Sequence, residues 1–408
     1  MFPPLNNNKI ISPLPTDDND QSNNIYPTSN TLPFLVWVIF ISTSIAIIGG
    51  KNILGYNLSG LMWFIPLVLS IFFTITRTDK ITFPFILWLP WILTLILYYI
   101  ITDYSALQRT AQLICPIVIG IAVSALSVNN TILAKFINIC KKFAIVIAFI
   151  AVFKTGLLLT GRIPLVTGLA AETMTALLLC SIFAASYSLG NTKDLSWWMF
   201  MAAFPVYAVT RTAIAVAGIT LPLTFGPMKT KKRIFIIIVV IMSGIAIFYT
   251  SRVQKKMFAY RGEKGTLADV RAGKIQDTGR KFMWRQFQAK IKLKPWMGHG
   301  TGAGRELVKK ITDGQLDYPH NDWLLTLHDQ GILGAAVYGL CIIMAAFHAY
   351  NRSRNVEKEH KLLFLAGSFS FVILALMMFT DNIMVYASFF GNLQFTILGL
   401  AYAAEKTA

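Results

Sequence analysis

Tyr318-Pro319-His320-Asn321-Asp322 is the stretch on which the reading of the fold turns. A polar, strongly charged segment from Ser251 to Pro319 ends there, and an apolar stretch takes over. On both sides of that segment the chain runs in apolar blocks of membrane length. The pentapeptide therefore lies where a bilayer meets water, beside a cationic loop.

Working outward, the 408 residues are 55% hydrophobic and only 14% charged, too apolar for an ordinary soluble protein. Blocks near twenty residues long match the length needed to cross about 30 Å of hydrocarbon. Twelve occur: 33–50, 58–75, 81–101, 110–127, 137–153, 170–189, 195–209, 213–228, 234–249, 331–349, 362–379 and 386–402. Only Thr210-Arg211-Thr212 separates the seventh from the eighth, which predicts a tight helical hairpin. The expected fold is an all-α polytopic membrane protein of about twelve transmembrane helices. Helices 1–9 occupy 33–250 and helices 10–12 occupy 331–402, with one large external loop at 251–330 containing short helices. Residues 1–32 and 403–408 are expected as tails. The first 31 residues are polar, rich in Asn, Pro and Asp, and lack the basic region and short apolar core of a cleaved signal, so a disordered tail is expected.

Orientation follows from Lys and Arg in the short loops. With the N-terminus cytoplasmic, the inner loops carry fourteen, including Lys229, Lys231, Lys232, Arg233, Arg352 and Arg354. The outer connections carry five: Lys51, Arg109, Lys154, Arg162 and Arg211. Both termini are thus expected inside a bacterial cytoplasmic membrane and the 251–330 loop in the periplasm. Residues 252–310 hold 16 Lys/Arg against 4 Asp/Glu. That charge does not overturn the count, because long segments translocate largely regardless of charge.

Cys115, Cys140, Cys180 and Cys341 fall in or beside apolar blocks, which suits packing residues rather than a disulfide framework or a C-x-x-C metal site. No internal repeat stands out, so the inverted-repeat logic of many transporters gains no support.

In this topology ionisable residues gather at the outer helix mouths: Arg109, Arg162, Arg211, Glu172 and Asp381. Charge at membrane depth is costly and marks functional candidates. Arg211 is flanked by apolar Val206–Val209 and Ala213–Val216, so its guanidinium needs an acid, carbonyls or a phosphate; snorkelling to the interface is the alternative. Arginine suits a diphosphate because its planar fork binds oxygens bidentately and stays charged. Within the loop, Arg280 opens a segment with Phe282, Phe287 and Ile291 among cations. This suggests an amphipathic helix on the membrane surface, ended at Lys294-Pro295. Arg280 reads as a phosphate ligand or as part of a solvated basic face. Gly298–Gly304 lacks the spacing and the strand–helix context of a nucleotide fingerprint and reads as a turn.

His320 is a candidate general base, since neutral imidazole can accept a proton from a sugar hydroxyl near neutral pH. Asn321 and Asp322 could orient its ring or cap the next helix. His320 and His328 are too far apart for a helical zinc pair, so no metal is expected.

The chain resembles the O-antigen ligase family, membrane glycosyltransferases related to O-antigen polymerases. The likeness rests on the twelve blocks and single large loop, and on local motifs. These are Val209-Thr210-Arg211-Thr212-Ala213, Thr278-Gly279-Arg280 with Trp284, Pro295-Trp296-Met297-Gly298-His299-Gly300, and Pro319-His320-Asn321 leading to Gln330-Gly331-Ile332-Leu333-Gly334. The resemblance implies a GT-C-like enzyme that moves a glycan from undecaprenyl pyrophosphate to a sugar hydroxyl, inverting and independent of metal or other cofactor. It implies His320 as base and Arg211 and Arg280 as diphosphate ligands, with Arg109 and Arg162 as further candidates. For a ligase the acceptor is lipid A–core, in lipopolysaccharide biosynthesis; for a polymerase it is another lipid-linked repeat. The basic loop favours the phosphorylated lipid A–core. Membrane lipids are expected partners and nucleic acid is not. A lipid-linked oligosaccharide transporter is the remaining alternative, disfavoured because the charges gather at one face rather than at the midplane.

Overall fold

The computed structural model of the chain describes residues 32–49, 61–102, 106–159, 169–222, 224, 228–258, 265–272, 279–384 and 387–404. The N-terminal tail, Arg162, Thr278 and the last four residues lie outside the described residues. Every long regular element among them is helical. In chain order these are α1 (Phe34–Ile48), α2 (Phe64–Thr76), α3 (Leu89–Ile101), α4 (Leu107–Ser124), α5 (Asn130–Leu159) and α6 (Ala170–Ser188). Then come α7 (Asp194–Tyr207), α8 (Arg211–Thr220), α9 (Thr230–Phe248), α10 (Ser251–Met257) and α11 (Leu267–Arg271). The series closes with α12 (Arg280–Ile291), α13 (Ala303–Ile311), α14 (Asp322–Arg352), α15 (Lys358–Met377) and α16 (Asn392–Ala404).

Among the described residues, each of the twelve apolar blocks coincides with one helix, α1 to α9 and α14 to α16. Among the described residues five helices are long and apolar enough to cross a membrane: α4, α5, α6, α14 and α15. A sixth results if α9 and α10, bent by 70°, form one span. The expectation of about twelve spans is not confirmed, because the other helices fall short of that length. At 1.5 Å per residue, α1, α2, α3 and α8 reach only about 15–22 Å. The eighth block shows the cause: Pro222 supplies no N–H to continue the ladder, and α8 stops at Thr220.

The helices close around aromatic side chains. Trp91 and Tyr338 rings lie 4.6 Å apart, and Trp88 meets Phe395 at 5.1 Å. α16 packs along α4, α6 along α7, and α14 along α15. A π-helical turn, Ala387–Gly391, precedes α16. Two carbonyls in it are satisfied from other helices, Ser388 by the Thr43 hydroxyl at 2.8 Å and Phe389 by the Thr175 hydroxyl at 2.9 Å. Irregular backbone survives among apolar helices only when such partners are supplied.

Two ion pairs lie within the bundle among the described residues. Lys154 lies 2.7 Å from Glu172 and donates to the Ile47 carbonyl at 3.2 Å. Lys141 lies 2.6 Å from Asp194, which also accepts from the Ser186 hydroxyl. Glu172 is thus held by a helix–helix ion pair. All four cysteines are free and buried.

Between α9 and α14 the insert folds into α10 to α13. The membrane-surface reading of Arg280–Ile291 does not hold. Phe287 is fully buried, and Met283 with it, in a small core against Val308, Leu324 and Leu325. The apolar stripe of α12 faces protein, and only Phe282 points outward. The tenth apolar block also begins inside a longer helix. α14 starts at Asp322 and breaks at Gly331, whose φ of 66° and ψ of −169° are non-helical.

Candidate active site

The turn that presents His320 is gripped from three directions. Asn321 caps α14, its side-chain oxygen accepting the Leu324 N–H at 2.9 Å. The Asp322 N–H donates to the Met378 carbonyl at 2.8 Å, tying the turn to the end of α15. Trp284 of α12 donates its indole N–H to the Pro319 carbonyl at 2.9 Å. Held this way, His320 adopts a left-handed backbone with φ of 53°. A non-glycine residue takes that conformation at a cost of about 1–2 kcal/mol, so the surroundings fix it.

His320 Nδ1 lies 3.3 Å from Asp381 Oδ1 and 3.3 Å from the Asn382 side-chain amide. The Asn382 backbone N–H donates to the same Asp381 oxygen at 2.9 Å and fixes the carboxylate. With Nδ1–H given to Asp381, Nε2 is the basic nitrogen of the neutral ring. The His320 side chain is about a third exposed, so that nitrogen is reachable.

Arg280 reaches the same place, donating from Nη1 to the Thr380 carbonyl at 2.9 Å, one residue before Asp381. Arg211 lies close enough to Arg280 for the two charges to repel. Lys256 and Arg252 join them electrostatically. Lys256 donates to the Ala208 carbonyl at 3.0 Å, and the Arg252 guanidinium lies 4.5 Å from the Tyr207 ring centre. Arg211 and Arg280 are each the first residue of a helix. Cations there oppose the positive end of the helix dipole. Two helix N-termini and a group of cations converging at one place suit a polyanion such as a diphosphate.

Arg109 and Asp322 sit beneath this surface. Arg109 is 8% exposed, its guanidinium 5.9 Å from the Tyr318 ring centre. It attracts the fully buried Asp322 carboxylate, which accepts the Met384 N–H at 2.6 Å and is repelled by Asp381. The structure therefore brings His320, Asp381, Arg280 and Arg211 together, underlain by Arg109 and Asp322. Asn321 serves as a helix cap. Sequence reading missed the pairing of Asp381 with His320, although both were expected at outer helix ends. It also missed Arg252 and Lys256, hidden among sixteen cations of the insert.

The glycine turn has a different task. Asp329, buried in α14, accepts the Gly302 N–H at 2.8 Å and the Gly304 N–H at 2.7 Å, and it contacts His328 Nδ1 at 2.9 Å. The turn donates its amides to an acid of its own chain. The His299 and Gly300 N–H groups reach the carbonyls of His328 and Asp329 at 2.9 and 2.8 Å, filling the gap that the Gly331 break opens in α14. Burial holds the His299 imidazole below its ordinary range, despite the bond from Nε2 to the Lys290 carbonyl, and His328, Lys294 and Lys290 push the same way.

No curated protein matches the chain. A family model described as O-antigen ligase matches residues 197–339, from within α7 to the middle of α14. That segment contains Arg211, Arg280 and His320, together with the turn and the break that fit into one another. Over residues 197–339 the chain is thus similar to the O-antigen ligase family.

Proposed function

We propose that the chain is an O-antigen ligase, transferring a glycan from undecaprenyl pyrophosphate to a sugar hydroxyl of lipid A–core. The observation that carries this reading is the meeting of a histidine–aspartate pair with Arg280 and Arg211. His320 Nε2 takes the proton of the acceptor hydroxyl as that oxygen attacks the anomeric carbon. The bond from that carbon to the pyrophosphate oxygen breaks, its electron pair leaves with undecaprenyl pyrophosphate, and the configuration inverts. Negative charge grows on the leaving oxygens, where Arg211 and Arg280 stabilise the transition state more than the ground state. Arg109, buried behind Tyr318, supports the turn through Asp322, and Asp381 keeps the imidazole in the productive tautomer. The route uses no metal or cofactor.

The site is proposed to face the periplasm, with both termini in the cytoplasm. A cysteine at Ala289, exposed on α12, should react with an impermeant thiol reagent in cells whose outer membrane alone is permeabilised. The chemistry is tested with purified His320→Ala and His328→Ala proteins, a lipid-linked glycan and lipid A–core. His320→Ala should lose transfer by about 10²-fold or more, the range of a general base. A His320→Ala protein with near-normal turnover would remove the mechanism.

A further inference from the structure

We infer that the turn Leu293–Met297 is an interfacial anchor, seated at the headgroup boundary of the bilayer and setting the depth of the site. Leu293 is 69% and Trp296 62% exposed, although each is large and apolar. Lys292 and Lys294 beside them are exposed as well.

The position of this turn along a span fixes what it meets. The Ile332 N–H donates to the Pro295 carbonyl at 2.8 Å, and the Leu333 N–H to the Trp296 carbonyl at 3.3 Å. Those two residues open the unbroken part of α14, Ile332 to Arg352. At 1.5 Å per residue that part is about 31 Å long, close to the roughly 30 Å hydrocarbon thickness. Arg352 marks its other end. Leu293 and Trp296 thus lie where the span enters the membrane.

The span itself presents Ile332, Leu333, Leu340, Ile343 and Phe347 outward, each exposed. The turn extends that apolar surface by one step. Trp with flanking Lys is the composition that settles at a membrane interface: the ring tolerates the headgroup level, and the ammonium groups reach water and lipid phosphate. Tyr98 of α3 secures the turn from behind, its hydroxyl meeting the Gln330 carbonyl at 2.7 Å and Met297 Sδ at 3.7 Å.

The anchor also bears on the site. α15 runs back beside α14 and ends at Met377, where Met378 holds the Asp322 N–H. His320 and Trp296 therefore belong to the same end of the bundle. Fixing the turn at the interface fixes the height at which His320 meets a lipid-linked substrate. The anchor stands independently of the reaction proposed above.

The test is electron paramagnetic resonance depth measurement on full-length protein in vesicles of phosphatidylethanolamine and phosphatidylglycerol. Nitroxides are placed singly at Leu293→Cys and Trp296→Cys, with Gln315→Cys as the aqueous reference and Phe347→Cys as the lipid reference. The ratio of oxygen to nickel-chelate collision rates at 293 and 296 should rise above that at 315 and fall between it and 347. A ratio equal to that at 315 would overturn the anchor and make the turn an aqueous platform, such as one for glycan stacking. Low accessibility to both reagents would overturn it too, showing the turn covered by protein.

Discussion

His320 Nδ1 and Asp381 Oδ1 meet at 3.3 Å across 61 residues of sequence. The contact joins the turn before α14 to the loop after α15, and Arg280 closes it by binding the residue before Asp381. The proposed base, the acid proposed to orient it and a cation proposed for the leaving group thus come from three separate stretches.

Asp381→Asn tests the orienting role. With its oxygen at that position the amide can still accept the Asn382 N–H and the His320 Nδ1–H, so the loop should fold, but it carries no charge to stabilise the imidazolium formed when Nε2 takes the proton. Turnover should fall by about 10²-fold or more while donor KM changes little. A variant with raised KM and unchanged kcat would assign Asp381 to binding instead.

Gly331→Ala tests the break in α14. Its φ and ψ belong to a region that glycine alone occupies, and an added Cβ would lie 2.2 Å from the Trp296 carbonyl oxygen. The variant should lose about 1–3 kcal/mol or more in thermal unfolding in detergent. Gly156→Ala in α5, with nothing within 4 Å, is the reference and should be neutral or gain up to about 1 kcal/mol. Equal melting of the two variants would show that the break is not required.

Helix positions were legible in the sequence because apolar blocks and helices coincide; helix length was not. Block length counts apolar residues, whereas a span needs unbroken helix, and Pro222 ends α8 after ten residues. Periodicity found the stripe of α12 at Phe287 but could not say which apolar partner it faces. A protein core and a bilayer ask for the same pattern. His320, Arg211 and Arg280 could be singled out from residue type and place. Asp381 could not be paired with His320, because nothing local joins residues so far apart. The glycines of 298–304 were visible, but the acid they enclose, Asp329, lies on another helix.

Arg211→Lys should remain badly impaired. A point charge restores attraction but not the bidentate fork, and the loss should approach the roughly 10²-fold cost of one preorganised donor. Arg280→Lys should fare likewise, since its Nη1 also holds Thr380 beside Asp381. Rescue of most activity by lysine at 211, measured with saturating donor, would favour a snorkelling role.

The insert should loosen in acid through His299. Burial lowers its pKa, so the unfolded chain takes up a proton near the ordinary value of about 6.5 while the folded turn does not. The unfolded state then binds more protons, and stability declines as pH falls below about 6.5 toward the folded value. Protection of the amides in residues 295–304 from hydrogen exchange, taken relative to the intrinsic rate at each pH, should fall between about pH 7.5 and pH 5.5. His299→Gln, which can still donate to the Lys290 carbonyl, should flatten that dependence. Higher protection in acid would reverse the sign and refute the assignment.

The acceptor separates ligase from polymerase. Residues 252–310 hold sixteen cations against four anions, and Arg252, Lys256 and Arg280 among them lie beside Arg211. A polymerase needs cations for its diphosphates, but its acceptor end is a glycan of variable charge, so a surplus this large goes beyond what it requires. Lipid A–core carries phosphates that such a field draws in and orients. A deletion strain should therefore continue to make long lipid-linked polymer while its lipid A–core stays bare. Lipid A–core bearing a single repeat unit would identify polymerisation as the missing step, and the same histidine, aspartate and arginines would then serve a polymerase.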